Sequence, residues 1–160
     1  MIEFEATSVP QISCLERNLS ITVDDILKLY YDGVEITDLP NSELTHEVDV
    51  VELPCTTRLI AVHGRQGPAK QFAGIIASTD DEFVLTNTSW KCLNVSQPGW
   101  EEIDFDDSDW LLAIEYDNKK QSEISSNASW IWLRQWNSLT NSTYEEMDLE
   151  VYCRKRLGEI

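Results

Sequence analysis

The stretch that decides the fold runs from Leu19 to Ile36 and reads LSITVDDILKLYYDGVEI. Apolar and polar side chains alternate along residues 19–23 and begin to do so again from residue 27, which is the period of a β-strand with one buried face. Asp32-Gly33 then precedes a third alternating run, and this pair favours a tight hairpin because both residues tolerate positive φ. The stretch therefore predicts two strands, a turn and a third strand.

The rest of the chain continues as short apolar or alternating runs separated by turn residues. The further strand candidates are residues 48–51, 58–62, 72–77, 83–85, 109–116 (a strand or a short helical turn), 130–133 and 149–153. Roughly nine or ten short strands predict an all-β fold, an antiparallel β-sandwich or jelly roll. No linker rich in glycine, serine or proline divides residues 1–160, so we expect one domain, with a flexible loop at the polar residues 117–129.

The charge of the chain limits its partners. Lys and Arg number 12 and Asp and Glu number 29, which gives a formal net charge of −17. Nucleic acids and anionic membrane surfaces are therefore not expected as partners. A membrane-spanning helix needs about 18 consecutive apolar residues. No apolar run in the chain is this long, so membrane insertion is not expected. The acidity is compatible with binding of divalent cations or cationic partners, or with a role in solubility alone. The one basic cluster in the sequence, residues 154–156, is expected to pair with surrounding acids.

Cysteines and glycosylation sequons favour an extracellular location. An even number of cysteines, four, fits two disulfides in an oxidising compartment, with three pairings open and free thiols in a cytosolic protein as the alternative. Zinc is not expected, because no two cysteines lie within a few residues of each other. The five N-x-Ser/Thr sequons begin at Asn18, Asn87, Asn94, Asn127 and Asn141. We expect a secreted protein or ectodomain from which a signal peptide has been removed.

Five of the six tryptophans lie within residues 87–132. Four are expected in the core, and the two that are two residues apart would share one strand face: Trp90, Trp110, Trp130 and Trp132. Trp100 follows Pro-Gly, so we expect it on a loop, where an exposed ring could stack on a sugar. Trp136, among polar residues, is a second candidate for this role.

An acidic segment, residues 101–109, follows Trp100. Its candidate calcium ligands are Asp104, Asp106, Asp107 and Asp109, and the first three are also candidates for binding the ligand itself. Calcium takes oxygen ligands of this kind, although the spacing does not match an EF-hand. The alternative is a solvated turn whose aspartates accept hydrogen bonds from backbone N–H groups.

The sequence does not favour an enzyme. The chain has two histidines, His46 and His63, and carries none of the nucleophile-elbow, phosphate-loop, zinc-protease or dinucleotide motifs. His63 ends an apolar run and is interpreted as a packed or loop histidine.

Several segments together resemble galactose-binding-domain-like β-sandwich modules, over residues 18–157. The segments that carry the resemblance are VDDILKLYYDG (23–33), LIAVHG (59–64), TSWKC (88–92), GW (99–100), FDDSDW (105–110), ASWIW (128–132) and VYCRK (151–155). The resemblance implies a jelly-roll sandwich of the kind found in extracellular animal proteins and beside glycoside-hydrolase domains, many of which bind glycans. Because Cys92 and Cys153 lie in two of these segments, it also implies that they pair, which leaves Cys14 with Cys55.

The expected function is that of a secreted, non-catalytic binding module. A lectin-like, carbohydrate-binding role assisted by calcium follows from the resemblance, with a glycan as partner. The alternatives are a structural or adhesive extracellular domain that binds another protein, and an accessory domain of a larger extracellular protein. The sequence leaves the oligomeric state open.

Overall fold

A computed structural model of the protein describes residues 14–43, 47–66, 73–133 and 148–158. These residues contain strands and irregular segments but no helix. The strands are β1 (Arg17–Asp24), β2 (Ile26–Tyr31), β3 (Val34–Ile36), β4 (Asp49–Leu53), β5 (Leu59–Arg65), β6 (Gly74–Thr79), β7 (Lys91–Leu93), β8 (Leu111–Leu112), β9 (Ile114–Tyr116), β10 (Trp130–Trp132) and β11 (Glu150–Arg156).

The strands form two antiparallel sheets that pack against each other. Sheet A has the order β4-β1-β6-β10-β9, and sheet B has the order β3-β2-β5-β11-β7-β8. Every registered pair is antiparallel, for example β1 with β6 and β11 with β5. The predicted all-β, antiparallel sandwich is confirmed.

The opening hairpin forms as predicted. β2 and β3 pair around Asp32 and Gly33, whose φ angles are 49° and 85°. The Asp32 carboxylate also accepts hydrogen bonds of 2.9 Å from the backbone N–H groups of Arg58 and Leu59. The turn is therefore fixed to the start of β5 as well as by its own backbone.

The main core lies between the two sheets. Leu19 and Ile21 of β1 and Ile75 of β6 face Ile60 and Val62 of β5, and all five side chains are fully buried. Period-two alternation places these residues on the inner faces. Burial of this apolar surface stabilises the fold at roughly 25 cal/mol per Å².

Two strand predictions differ from the structure, and one strand was not predicted. Residues 83–85 form no strand and contribute an isolated bridge between Leu85 and Ser78. Residues 109–116 divide into β8, which pairs in sheet B, and β9, which pairs in sheet A. β7 was not predicted, because its three residues are too few to show a period. Strands this short depend on packing against their neighbours more than on their own sequence.

Irregular segments cover the outer faces of both sheets. Residues 94–110, here called the tryptophan loop, pack on the outer face of sheet B. Residues 117–129, here called the serine segment, contribute Ile124 and Ala128 to an apolar cluster with Ile76 of sheet A. The serine segment has no strand, and its two apolar side chains anchor it to the sheet.

Both expected disulfides form, Cys14–Cys55 and Cys92–Cys153. The second joins residues that face each other in the register of β7 and β11. Disulfides are typical of proteins from oxidising compartments. Within the described ranges, no helix has the length and apolar character needed to cross a membrane.

Candidate functional site

Trp100 is buried, which contradicts the expectation of an exposed stacking ring. Its side chain is 8% exposed and lies 5.4 Å from the ring of Tyr30, 5.0 Å from Tyr152 and 6.5 Å from Trp110. Tyr30 and Tyr152 lie on the outer face of sheet B, and an aromatic ring that covers them removes apolar area from water. Trp100 therefore holds the tryptophan loop against the sheet.

Arg154 of β11 fixes the same loop from beneath. Its side chain is 1% exposed, and its Nε donates to Asp107 Oδ2 at 2.9 Å. Its terminal nitrogens donate to the backbone carbonyls of Trp100 at 2.6 Å, Glu102 at 2.9 Å and Phe105 at 3.2 Å. Burial lowers the pKa of Arg154, although Asp107 opposes this effect. The prediction that the basic cluster pairs with neighbouring acids is confirmed for Arg154.

The four aspartates of the loop do not converge on one point. Asp107 is engaged by Arg154, and Asp106 accepts a 3.0 Å hydrogen bond from the backbone N–H of Ser108, which lowers the pKa of Asp106. Asp104 and Asp109 are exposed. In the described part of the chain, no group of three or more His, Cys, Asp or Glu side chains is arranged to hold a metal ion. This donor set does not fit calcium, because a guanidinium already neutralises its one buried carboxylate.

The other described tryptophans are buried, as predicted. Their indole N–H groups donate to an oxygen in each case: Trp90 to Leu85, Trp110 to Gln97, Trp130 to Lys119 and Trp132 to Asp148. Trp130 and Trp132 do not share one environment, since Trp132 and Ile131 belong to the main core and Trp130 to the cluster under the serine segment. Trp136 lies outside the described residues.

His63 is a packed histidine, as interpreted from the sequence. Its ring stacks on Tyr152 at 4.2 Å, and its Nε2 lies 2.8 Å from Glu150 Oε1. Burial lowers the pKa of His63 despite the opposing effect of Glu150. The ring lies against the outer face of sheet B.

An open pocket of about 700 Å³ lies beside sheet A, between the turn after β6 and the serine segment. It is lined by residues 78–80, Glu82 and residues 120–126, and is here called the polar pocket. Hydroxyl groups, carboxylates, an amide and one ammonium group make up most of the lining. Small-molecule sites have volumes of roughly 300–1,000 Å³, so this volume is sufficient for a ligand.

Hydrogen bonds hold both walls of the polar pocket. On the turn, Asp81 accepts from Arg17 Nε at 2.7 Å, Thr79 Oγ1 at 2.8 Å and the Phe83 backbone N–H at 3.1 Å. On the serine segment, the backbone N–H of Ser125 donates to Ser78 Oγ at 2.9 Å, which ties the segment to β6. The pocket therefore has preformed walls.

The polar pocket carries more negative than positive charge. Asp80, Glu82 and Glu123 line it together with one cation, Lys120, whose Nζ donates to the backbone carbonyl of Ser126 at 2.9 Å. Hydrogen bonds from Ser125 and Asn127 lower the pKa of Glu82, so its carboxylate is ionised at neutral pH. The pocket offers hydrogen-bond acceptors to a ligand that is rich in donors.

The predicted glycosylation asparagines lie at different places on the surface. Asn18, Asn94 and Asn127 are exposed, whereas Asn87 is partly buried and its side-chain Oδ1 accepts a hydrogen bond from the backbone N–H of Ser89. Asn141 lies outside the described residues.

Comparisons of the chain with protein-family models, with curated proteins and with solved structures found no match. The candidate site therefore depends on the geometry of this molecule.

Sequence reasoning missed the polar pocket. Its two walls lie about forty residues apart in the chain, and the serine segment was interpreted as a flexible loop because of its polar composition. The one signal was Ile124, an apolar residue within that polar run, because it needs a surface to pack on.

Proposed function

We propose that this protein is a secreted, non-catalytic module of the galactose-binding-domain-like type, and that it binds carbohydrate in the polar pocket. The observation that supports this most is the preformed pocket beside sheet A, lined by hydroxyl and carboxyl groups, among them the Glu82 carboxylate whose pKa is lowered. A sugar presents many hydroxyl donors, and charge-assisted hydrogen bonds to carboxylates are about twice as strong as neutral ones. The two disulfides support the extracellular location.

The charge of the pocket selects the class of carbohydrate. Three carboxylates face one ammonium group, so sialylated or sulfated glycans meet repulsion. Neutral hexoses and amino sugars suit the acceptors better. Among the described residues no aromatic ring lines the pocket, so the affinity for one sugar unit is expected to be weak, on the order of 1 mM.

The test is a glycan array probed with protein made in an oxidising bacterial compartment, which adds no N-glycans. Glu123→Gln removes an exposed carboxylate of the pocket and is expected to lower the affinity for neutral glycans by about tenfold. Asp104→Asn, in the tryptophan loop, is the matched control and is expected to leave binding unchanged. Runs with calcium and with a chelator test the predicted assistance by calcium.

The two variants also test where the ligand binds. If Asp104→Asn weakens binding and Glu123→Gln does not, the ligand lies at the tryptophan loop. If the folded protein binds no glycan with or without calcium, carbohydrate binding is excluded.

An adhesive, protein-binding role is the second candidate, because one edge of the sandwich exposes apolar side chains. Leu111, Leu112 and Ile114 are 59%, 60% and 45% exposed on β8 and β9. Exposed apolar patches often mark protein interfaces. The test measures adhesion of glycosidase-treated cells to surface-bound protein. The double variant Leu111→Lys, Ile114→Lys is expected to abolish adhesion. Val34→Lys, on the β3 edge, is the control and is expected to leave adhesion unchanged.

A further inference from the structure

Two glycosylation sequons lie at the rim of the polar pocket. Asn127 Nδ2 donates to both carboxylate oxygens of Glu82, at 3.2 Å and 3.1 Å. Asn18 Nδ2 lies 3.5 Å from Asp80 Oδ2. Glu82 and Asp80 both line the pocket, so the nitrogen that would carry a glycan is in contact with the pocket wall at each sequon.

Asn127 is the better placed of the two. Its side chain is exposed, it lies on a turn, and its two contacts with Glu82 are shorter than the contact of Asn18 with Asp80. The backbone N–H of Asn127 also donates to Ser125 Oγ at 3.0 Å, which fixes the turn within the serine segment. The amide is therefore accessible from outside and held beside the pocket.

N-glycosylation joins Nδ2 of the asparagine to C1 of the first sugar. The bond between that sugar and the diphosphate of a lipid-linked donor breaks, and Nδ2 releases one proton. The remaining N–H of Asn127 can still donate to Glu82, so the first sugar begins within reach of the pocket wall.

We propose that the N-glycan of Asn127 lies in the polar pocket and is an intramolecular ligand of this module. A group tethered by a short linker has an effective concentration on the order of millimolar. This concentration is comparable to the weak affinity expected for one sugar unit, so the attached glycan competes with external glycans for the pocket. The inference rests on the proposed carbohydrate-binding function, because it uses the same acceptors.

Asn94 provides the comparison within the same chain. It is also exposed, and its Nδ2 also donates to one carboxylate, that of Asp148 at 2.9 Å. Neither Asn94 nor Asp148 lines the polar pocket. A glycan on Asn94 is therefore expected to leave the pocket open.

The experiment uses the full chain secreted from eukaryotic cells. Ser129→Ala removes the sequon but retains Asn127 and its bonds to Glu82, and Asn94→Gln is the matched control. Mass spectrometry reports occupancy of Asn127, a glycan array reports binding of external neutral glycans, and hydrogen exchange reports protection of residues 120–126.

The expected result is an occupied Asn127 in the unaltered protein. Ser129→Ala is expected to raise the affinity for external glycans by about tenfold and to reduce protection of residues 120–126, whereas Asn94→Gln changes neither. An unoccupied Asn127, or equal binding and equal exchange in both variants, overturns the inference.

The same experiment separates this inference from the proposed function. If no form binds an external glycan but protection of residues 120–126 depends on Ser129, the proposed binding of external carbohydrate fails and the intramolecular contact holds. If external glycans bind all forms equally, the proposed function holds and the intramolecular contact fails.

Discussion

At the scale of single residues, Arg154 decides how the tryptophan loop is held. A buried guanidinium needs an ionic partner and several acceptors, because removing it from water is costly. Arg154 has Asp107 and three backbone carbonyls of the loop. The planar guanidinium of arginine has enough N–H donors, suitably spread, to reach all four acceptors, whereas the single ammonium group of lysine does not.

We expect Arg154→Ala to destabilise the protein by about 3–5 kcal/mol, because it removes the buried cation closest to Asp107 and the donor to three loop carbonyls. Urea denaturation followed by tryptophan fluorescence measures the change. Arg156→Ala is the control, since that side chain is 47% exposed and its loss should cost less than about 1 kcal/mol. Equal losses for the two variants would contradict the role given to Arg154.

The sequence correctly predicted that Trp90, Trp110, Trp130 and Trp132 are buried, but it did not predict the burial of Trp100. Trp100 was expected at the surface because Pro98-Gly99 favours a turn, and the turn is present, with Gly99 at φ 80°. The ring is nonetheless buried, because the turn folds back over Tyr30 and Tyr152. Turn chemistry predicts the local backbone, but which sheet face the loop covers depends on the tertiary fold.

At the scale of elements, Gly64 of β5 sets how closely the two sheets approach near Trp132. A Cβ at this position would lie 2.9 Å from Cζ3 of Trp132 and 3.2 Å from Cγ1 of Ile75. The glycine therefore accommodates a large indole from the opposite sheet. This contact joins a residue of sheet B to two residues of sheet A.

Gly64→Ala is expected to destabilise the protein by about 1–3 kcal/mol, because the tryptophan ring is packed too tightly to move aside. Thermal unfolding monitored by circular dichroism gives the shift. Gly158→Ala, where a Cβ would meet no atom within 4 Å, should change the melting temperature little. An unchanged melting temperature for Gly64→Ala would mean that the sheets adjust their separation freely.

Strands with a clear period were predictable, and those without one were not. The hairpin of β2 and β3 followed from alternation and Asp-Gly, and β5 followed from its apolar run. β7 has three residues, so its sequence holds too little pattern to reveal it, and the pattern of residues 109–116 did not show that the chain changes sheets between β8 and β9. The polar pocket depends on a contact between distant segments, which a local pattern does not encode.

At the scale of the whole molecule, the net charge and the buried carboxyl of Asp24 both make the folded protein less stable as the pH rises. Burial, a hydrogen bond with Asp25 and repulsion from Asp25 raise the pKa of Asp24 to about 8 from an ordinary value of 3.8. Between these pH values the folded protein binds the proton of Asp24 and the unfolded chain does not, so stability falls as pH rises. A formal charge of −17 adds repulsion that also grows with pH.

We therefore expect a higher melting temperature at about pH 5 than at about pH 9. Asp24→Asn keeps a hydrogen-bond donor for Asp25 and carries no charge, so it should reduce this difference by several degrees and stabilise the protein above about pH 8. Differential scanning calorimetry across the pH range measures both effects. Asp109→Asn, at an exposed position, should retain the full difference, and an Asp24→Asn profile parallel to the unaltered one would contradict the assignment.

The passage of the chain from β8 to β9 links the two sheets through a covalent connection of one residue. Ala113 lies between an edge strand of sheet B and an edge strand of sheet A, and its backbone N–H donates to the carbonyl of Trp90. Separation of the two sheets on this side therefore strains the edge strand of each sheet, because β8 and β9 are joined by one residue. We therefore expect the two sheets to open here as one cooperative unit, so that hydrogen exchange finds similar amide protection along β8 and β9.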